Sequence, residues 1–553
     1  MSVVSPSDTQ ATYVATLVDQ WIACGLRDVV ICPGSRSTPM TLALARRSEL
    51  RVSIRLDERG AGFYAIGRAL ESRLPVVIVV TSGTAAAELH AAVAEADQAY
   101  VPLIVVTADR PPELHGVGAP QTIPQHDLFG PMVRRALDPG VAQITEMNNW
   151  RDVATELWNA ARGVDGTSGP VHLNAAFIEP LVGEPQALPT ITNQSVQMPR
   201  AESRDLVTPA VAGQRVLAVF GSGATINDVE AARQMNWVVV GDVTTPHTTA
   251  YVDGFLRNES FAQFAKPDIV VRLGGLVASK VVNAKIKEWG VPVIGLDTGR
   301  PVSDPDRVVS QVLTGSGLGV APSGVADASY RELCVKVESR GHENFAGLDF
   351  ESSSLTEAII AREVVRASNE SNAPLLLGSS MPVREVEWFA PARTARVFSN
   401  RGVNGIDGVT STLFGIGAVS GAIGLIGDLT FLHDASALVD PPDASIALVV
   451  VANNGGHIFD FLPQKSILEP QEFERLFTTP RTPAPAKVAV GFGMSAVVVE
   501  TVAELRDALA AARAYRGVTV IEAIPSAPVS NVEFHAWLER SLARVANEFV
   551  SPS

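Results

Sequence analysis

Short runs of wholly apolar residues recur along this chain, separated by longer stretches with the mixed spacing of helices. The runs are DVVIC (28–32), VVIVVT (76–81), LIVVT (103–107), VHLNA (171–175), VLAVF (216–220), DIVVRL (268–273), VPVIGL (291–296), PLLLG (374–378), IGLIGD (423–428), IALVVVA (446–452) and VTVIEA (518–523). A strand with one wet face alternates polar and apolar residues; these do not. Continuous apolar runs mark parallel strands covered on both faces. Their alternation with helical stretches predicts doubly wound α/β domains.

Two polar stretches interrupt the pattern. Residues 183–213 are rich in Pro and polar side chains, and residues 338–355 hold few strand formers. Read as linkers, they divide the 553 residues into three parts of comparable size, with boundaries at 1–185, 186–350 and 351–553. The predicted fold class is therefore α/β, with three doubly wound parallel-sheet domains. With 46% hydrophobic and 19% charged residues, the chain can bury sizeable cores. Its net charge of −15 disfavours nucleic acid and anionic membranes as partners. An acidic substrate would then need local Arg and Lys. Cys24, Cys32 and Cys334 are far apart and form no CxxC. That fits a reduced compartment. The sequence opens without a basic, then apolar, secretory pattern, and no run approaches a membrane span. A cytoplasmic enzyme is expected.

The chemistry concentrates in a few motifs. IGLIGD ends in Gly427-Asp428, and LVVVANNGGHIF (448–459) runs from a strand into Asn453-Asn454-Gly455-Gly456. The spacing allows one helix and a return strand, so Asp428 and Asn453 would meet at the C-terminal ends of two parallel strands. Open α/β sheets bind ligands there. Alone, the first is an Asp cap and the second an Asn-Gly turn. Together they favour a hard-oxygen site of one carboxylate, one amide and the Gly455 carbonyl, suited to Mg²⁺ beside a diphosphate. In LDERGAGFYAIG (56–67), Glu58 follows an apolar segment and opens a helix. A lone acid there is often a first-turn residue matching the helix dipole. Beside apolar residues, it can also have a raised pKa and bond a ring nitrogen.

These motifs together resemble the thiamine-diphosphate enzymes, whose diphosphate–metal signature is GD…NN, here with Leu429 where a Gly is usual. The closer resemblance is to the family of 2-succinyl-5-enolpyruvyl-6-hydroxy-3-cyclohexene-1-carboxylate synthases. It rests on CPGSRSTP (32–39), DERG (57–60), TSGTA (81–85), TADRPPEL (107–114), GPVHLN (169–174), SNRGVNGIDG (399–408), GDLTFLHD (427–434) and NNGGHIFDFLP (453–463). GGLVASK (274–280) extends it into the middle part. The resemblance implies a pyrimidine-binding domain, a central Rossmann-like domain and a diphosphate-binding domain, in that order. It implies thiamine diphosphate and Mg²⁺ (or Mn²⁺) as cofactors. The implied activity is decarboxylation of 2-oxoglutarate and addition of the remaining carbon unit to isochorismate, in menaquinone biosynthesis.

The same resemblance assigns residues. Glu58 would be catalytic, bonding the cofactor's aminopyrimidine. Asp428, Asn453 and the Gly455 carbonyl would hold the metal. Ser380, Gly427, Ile458 and Phe459 fall at cofactor-contacting positions, and Ile406 at the bulky residue that keeps the cofactor bent. Substrate-binding positions are Ser35, Arg36, Arg110, Gln121, Lys280, Ser380, Arg384 and Arg401, with Phe459 and Leu462 in an apolar wall. Both substrates are dianions, and the planar fork of Arg grips a carboxylate at two points. For any single Arg, a surface ion pair is the commoner fate, and Arg384 after MPV could simply cap a helix. Ser379, His457 and Arg481 depart from the family's usual residues. A homodimer with shared sites is implied; pairing of dimers is left open.

Other signals point away from alternatives. GSGAT (221–225) follows a strand but completes no G-x-G-x-x-G, so no dinucleotide is expected there. There is no HExxH, Walker A run or G-x-S-x-G. His90, His115, His126, His172 and His433 read as structural or solvent-facing. Two other functions compete with this reading. Another thiamine-diphosphate 2-oxoacid decarboxylase or an acetohydroxyacid synthase would need fewer cations for pyruvate. A non-catalytic regulatory protein would need neither Glu58 nor the Asp428–Asn453 pair.

Overall fold

The computed structural model describes residues 4–164, 166–190, 205–346, 354–526 and 529–550. Residues 191–204 and 347–353, parts of the two expected linkers, lie outside these.

Three parallel sheets form, and every strand pairing in them is parallel. The first holds β1 (Asp28–Ile31), β2 (Arg51–Ile54), β3 (Val76–Val80), β4 (Leu103–Asp109), β5 (Ala136–Leu137) and β6 (Pro170–Ala176). The second holds β7 (Val216–Phe220), β8 (Val238–Gly241), β9 (Ile269–Leu273), β10 (Val293–Asp297) and β11 (Gln311–Thr314). The third holds β12 (Leu375–Leu377), β13 (Val397–Phe398), β14 (Ala422–Gly427), β15 (Ile446–Val451), β16 (Ser495–Val499) and β17 (Val518–Ala523). Their orders are β2-β1-β3-β4-β6-β5, β11-β10-β9-β7-β8 and β13-β12-β14-β15-β17-β16. Numbered from its own first strand, the third sheet repeats the order of the first. The second follows the same order without a sixth strand. In each, the chain leaves the first strand to one side and then the other. That reversal opens a crevice beyond the carboxyl ends of the strands.

All eleven apolar runs are strands, and their buried side chains supply the cores. Beneath the first sheet, Trp21, Leu157, Trp158 and Phe177 are essentially excluded from solvent, and Tyr13 meets Trp150 edge-on at 5.3 Å. The stretch expected as the second linker is instead helical up to Ala346, within the helix Ala328–Ala346. Its apolar stripe is sparse, with Val337, Gly341 and Phe345 one turn apart, so composition hides it. Gly341 sits where a Cβ would come within 2.8 Å of Phe255, and Phe345 stacks on Tyr251 at 4.6 Å between ring centroids.

Two compact units result. One gathers the described residues of 1–202 with 400–419 and 433–442; the other holds the described residues of 203–399, 420–432 and 443–553. The helix Val409–Gly417 therefore completes the first unit, lying along the helix Glu58–Ser72. The two helices meet through glycines: a Cβ on Gly67 would come 2.2 Å from the Thr412 carbonyl oxygen, and one on Gly415 2.2 Å from that of Tyr64. No helix among the described residues is long and apolar enough to cross a membrane.

Candidate active site

In the first unit, a cleft of about 760 Å³ opens at the carboxyl ends of β1, β2 and β3. Its lining brings together three of the expected residues, Ser35, Glu58 and Gln121. Glu58 begins its helix, and the preceding Asp57 caps it by accepting from the Gly60 N–H at 3.2 Å. Because Asp57 does the capping, the Glu58 side chain is left for the cleft. Partial burial raises its carboxyl above the usual range, and the charges of Asp57 and Glu88 add to the rise. The cleft wall is tightly drawn. A Cβ on Gly34 would collide with Thr81 at 2.4 Å, and Gly83 takes a positive φ of 83°. Gln121, itself at φ 56°, donates to the Ser82 carbonyl at 3.2 Å and accepts from the Ser82 hydroxyl at 3.0 Å.

Two guanidinium groups stand beside these loops. Arg110 donates to the Ser82 hydroxyl, while Arg36 donates to the Phe177 carbonyl at 3.0 Å and pairs with the exposed Glu179 at 3.3 Å. Burial lowers the Arg110 pKa, and the nearby charge of Arg36 lowers it further. Arg401 belongs to the same unit and bonds Asn404 at 3.1 Å. Its loop is gripped from behind by a residue not singled out in the sequence. The buried Glu95 carboxylate accepts from the N–H of Gly402 at 2.8 Å and of Val403 at 2.7 Å. Ile406, further along that loop, is 41% exposed.

In the second unit, β14 and β15 run side by side with Gly427 opposite Val451. Asp428 and Asn453 leave their ends. Asp428 accepts from its neighbour Leu429 N–H at 2.7 Å and from Gly455 N–H at 2.9 Å. Burial raises its pKa, and the backbone N–H bonds oppose that rise. The Asn-Asn-Gly-Gly turn has its own backbone reason: Gly455 lies at φ 130°, where a Cβ would meet the Thr478 carbonyl at 2.2 Å, and Gly456 N–H donates to that carbonyl at 2.7 Å. The Gly455 carbonyl accepts from His457 N–H at 3.0 Å and keeps a lone pair. The Asn453 amide nitrogen donates to buried Glu357 at 2.9 Å, while its buried oxygen has no hydrogen-bond partner among the described residues. That orphaned oxygen, the Asp428 carboxylate and the Gly455 carbonyl fit a small hard cation. Gly427 faces open space, where a side chain would otherwise stand.

The remaining expected residues lie around these groups or apart from them. Ser380 precedes the helix Met381–Phe389, and Arg384 reaches back from that helix to the carbonyls of Ser379 and Ser380 at 3.3 and 2.7 Å. Arg384 thus ties its own loop rather than capping the helix, because a guanidinium only donates and the free groups at a helix N-terminus are themselves donors. Ile458, Phe459 and Leu462 are half-buried on one loop, with Phe459 edge-on to Phe477 at 5.5 Å. His457 is held by Asp460 at 2.5 Å. Lys280 opens the helix Lys280–Trp289 with its side chain exposed. Among the histidines set aside, His172 is buried and bonds Thr107 at 2.8 Å; burial lowers its pKa to about 4. Glu357 was missed. Burial and the charge of Glu385 push its carboxyl well above the usual carboxylate range. In sequence it follows Thr356 like any first-turn acid, so only the fold places it behind Asn453.

Residues 11–128 match the family model of the thiamine pyrophosphate enzyme, N-terminal TPP binding domain. A solved structure described as a thiamin diphosphate-dependent enzyme isolated from Mycobacterium smegmatis shares the fold, with a TM-score of 0.64 over 94% of this chain and 100% of that one, at 17% identity. The molecule is a thiamine diphosphate-dependent enzyme. Two relatives named 2-succinyl-5-enolpyruvyl-6-hydroxy-3-cyclohexene-1-carboxylate synthase are each 35% identical: that of Myxococcus xanthus covers 86% of this chain and 88% of its own, and that of Thermobifida fusca 89% and 92%. The relative of that name from Bacillus cytotoxicus is 33% identical over 95% of both chains. This chain belongs to the 2-succinyl-5-enolpyruvyl-6-hydroxy-3-cyclohexene-1-carboxylate synthase family and is a transferase.

Proposed function

We propose that the enzyme decarboxylates 2-oxoglutarate and joins the remaining carbon unit to isochorismate, releasing CO₂ and 2-succinyl-5-enolpyruvyl-6-hydroxy-3-cyclohexene-1-carboxylate in menaquinone biosynthesis. Beyond the family, the observation that carries this reading is the pair Arg36 and Arg110. Arg110 donates to the Ser82 hydroxyl and Arg36 to the Phe177 carbonyl, so two guanidinium groups stand beside loops that line the Glu58 cleft. A dianionic substrate offers a carboxylate to each; a monoanion such as pyruvate offers only one.

Thiamine diphosphate, when bound, supplies the electron sink for the decarboxylation. Glu58 holds a proton and exchanges it with the pyrimidine ring. Ser35 and Gln121 orient the substrate, and Lys280, Ser380, Arg384 and Arg401 complete the polar contacts. Ile458, Phe459 and Leu462 exclude water, and Ile406 supports the cofactor. Asp428, Asn453 and the Gly455 carbonyl would hold Mg²⁺ or Mn²⁺ against the diphosphate. In this reading residues 1–185 bind the pyrimidine, 186–350 form the central domain and 351–553 bind the diphosphate. The working form is a cytoplasmic homodimer whose sites each draw Glu58 from one chain and Asp428 from its partner.

The test supplies 2-oxoglutarate, isochorismate, thiamine diphosphate and Mg²⁺, and follows CO₂ and the adduct by mass spectrometry. The expected result is both products in equal amounts. Release of CO₂ with no adduct, or preference for pyruvate, overturns the assignment.

A further inference from the structure

Behind the proposed metal ligands lies a buried carboxylate with no part in the reading above. Glu357 is the first residue of the helix Glu357–Ser371, 6% exposed, and Thr356 caps that helix by accepting from Ile359 N–H at 3.2 Å. With the cap supplied by Thr356, the Glu357 side chain is free to point elsewhere. It points at Asn453, whose Nδ2 donates to its Oε1 at 2.9 Å. We infer that Glu357 is a positioning residue that fixes the sense of the Asn453 amide, holding Oδ1 toward the metal and Nδ2 away from it.

An amide has an oxygen end and a nitrogen end of nearly equal size, so packing alone barely distinguishes them. Turned round, Asn453 would bring its oxygen against Glu357 Oε1 at the same 2.9 Å, oxygen to oxygen, and aim its two hydrogens at a cation. As a carboxylate Glu357 forbids that, because both of its oxygens only accept. The buried Asn453 Oδ1 has no hydrogen-bond partner among the described residues. An orphaned buried acceptor is costly unless something binds it. A carboxylate behind a metal ligand that sets its orientation is the usual second layer of a metal site, and its loss typically costs about 10–100-fold in metal affinity.

This inference rests on the metal reading of Asp428 and Asn453, and the test separates the two. Mn²⁺ affinity is measured by electron paramagnetic resonance in the presence of thiamine diphosphate, without substrate. Asp428→Ala tests the metal site itself: unchanged Mn²⁺ affinity there overturns both readings. Glu357→Gln tests the positioning. Its amide can accept from Asn453 Nδ2 or turn and donate to Oδ1, so Asn453 is no longer held in one sense, and Mn²⁺ binding is expected to weaken by up to about 10–100-fold with the metal-free unfolding temperature little changed. Wild-type affinity in Glu357→Gln, with affinity lost in Asp428→Ala, overturns the positioning role alone. The decisive variant is Glu357→Gln/Asn453→Asp. A carboxylate at 453 presents oxygen from either end, so its orientation no longer matters, and the double variant is expected to regain most of the lost affinity. A purely structural role for Glu357 predicts no such rescue. If the double variant binds Mn²⁺ no better than Glu357→Gln, the proposal fails.

Discussion

In the proposed reaction Glu58 is available because a neighbour relieves it of structural duty. Asp57 caps the helix, and Glu58 is left half-buried with a raised pKa at the cleft. Glu58→Gln keeps the length and removes the acid. Thiamine diphosphate binding, measured by calorimetry, should persist while turnover falls by at least about 10²-fold, the usual scale for lost acid–base help. Near-normal turnover would show that another group serves the ring. His172 illustrates the opposite case, a titratable group kept for packing. Burial holds its pKa at about 4 against an ordinary 6.5. The unfolded chain therefore binds the extra proton first, and stability falls as pH drops from about 6.5 toward 4. At about 1.4 kcal/mol per unit, this residue alone removes roughly 3 kcal/mol across that window. Urea unfolding at pH 7 and pH 5 should show a smaller loss in His172→Gln than in the native chain; equal losses would mean that His172 is not buried neutral.

Among the elements, the pair of helices Glu58–Ser72 and Val409–Gly417 tests packing directly. A Gly→Ala change inside a helix ordinarily stabilises it by about 0.5–1 kcal/mol. At Gly67 the new methyl would meet the Thr412 carbonyl at 2.2 Å and the Gly415 Cα at 2.9 Å. Both are backbone and cannot rotate away, so overpacking of about 1–3 kcal/mol should win. Denaturant unfolding of Gly67→Ala should show net destabilisation, and a gain in stability would mean that the helices do not touch there. Strand legibility followed position in the sheet. The eleven apolar runs are the interior strands, whereas β2, β5, β8, β11, β13 and β16 were not anticipated and are the six edges. Edge strands such as RVSI of β2 and SAVVV of β16 are partly exposed, and two others have only two residues, so they lack the continuous apolar run that marks a strand covered on both faces. β8 is buried yet short. Among the residues proposed for the site, Glu58, Asp428 and Asn453 were conspicuous in the sequence because each stands in a distinctive motif at a strand end. Glu95 and Glu357 were not, because each looks like an ordinary helical acid until the fold brings Gly402 or Asn453 to it.

For the whole molecule, the proposed shared site makes a quantitative prediction. Glu58→Gln and Asp428→Ala homodimers should both be inactive. Refolding them together should restore activity, because each mixed dimer carries one site with both defects and one with none. Random pairing makes about half the dimers mixed, so roughly a quarter of the native sites should work. Verified exchange without activity would place each site within one chain. The interleaving of the two compact units has a consequence in time. Domains usually fold in order as they leave the ribosome, at about 5–20 residues per second. The first unit cannot follow that rule, since its last segments, 400–419 and 433–442, are made after most of the second. At that pace, roughly 10–50 s separate residue 202 from residue 442, and throughout them the glycine-lined face of the helix Glu58–Ser72 waits uncovered. A fragment ending at residue 202 should therefore aggregate or bind chaperones, and a peptide of residues 400–442 added in trans should rescue it. A fragment that is monomeric and natively protected in hydrogen exchange on its own would show that the later segments are dispensable. Nascent chains of this enzyme are thus most vulnerable in the middle of their synthesis.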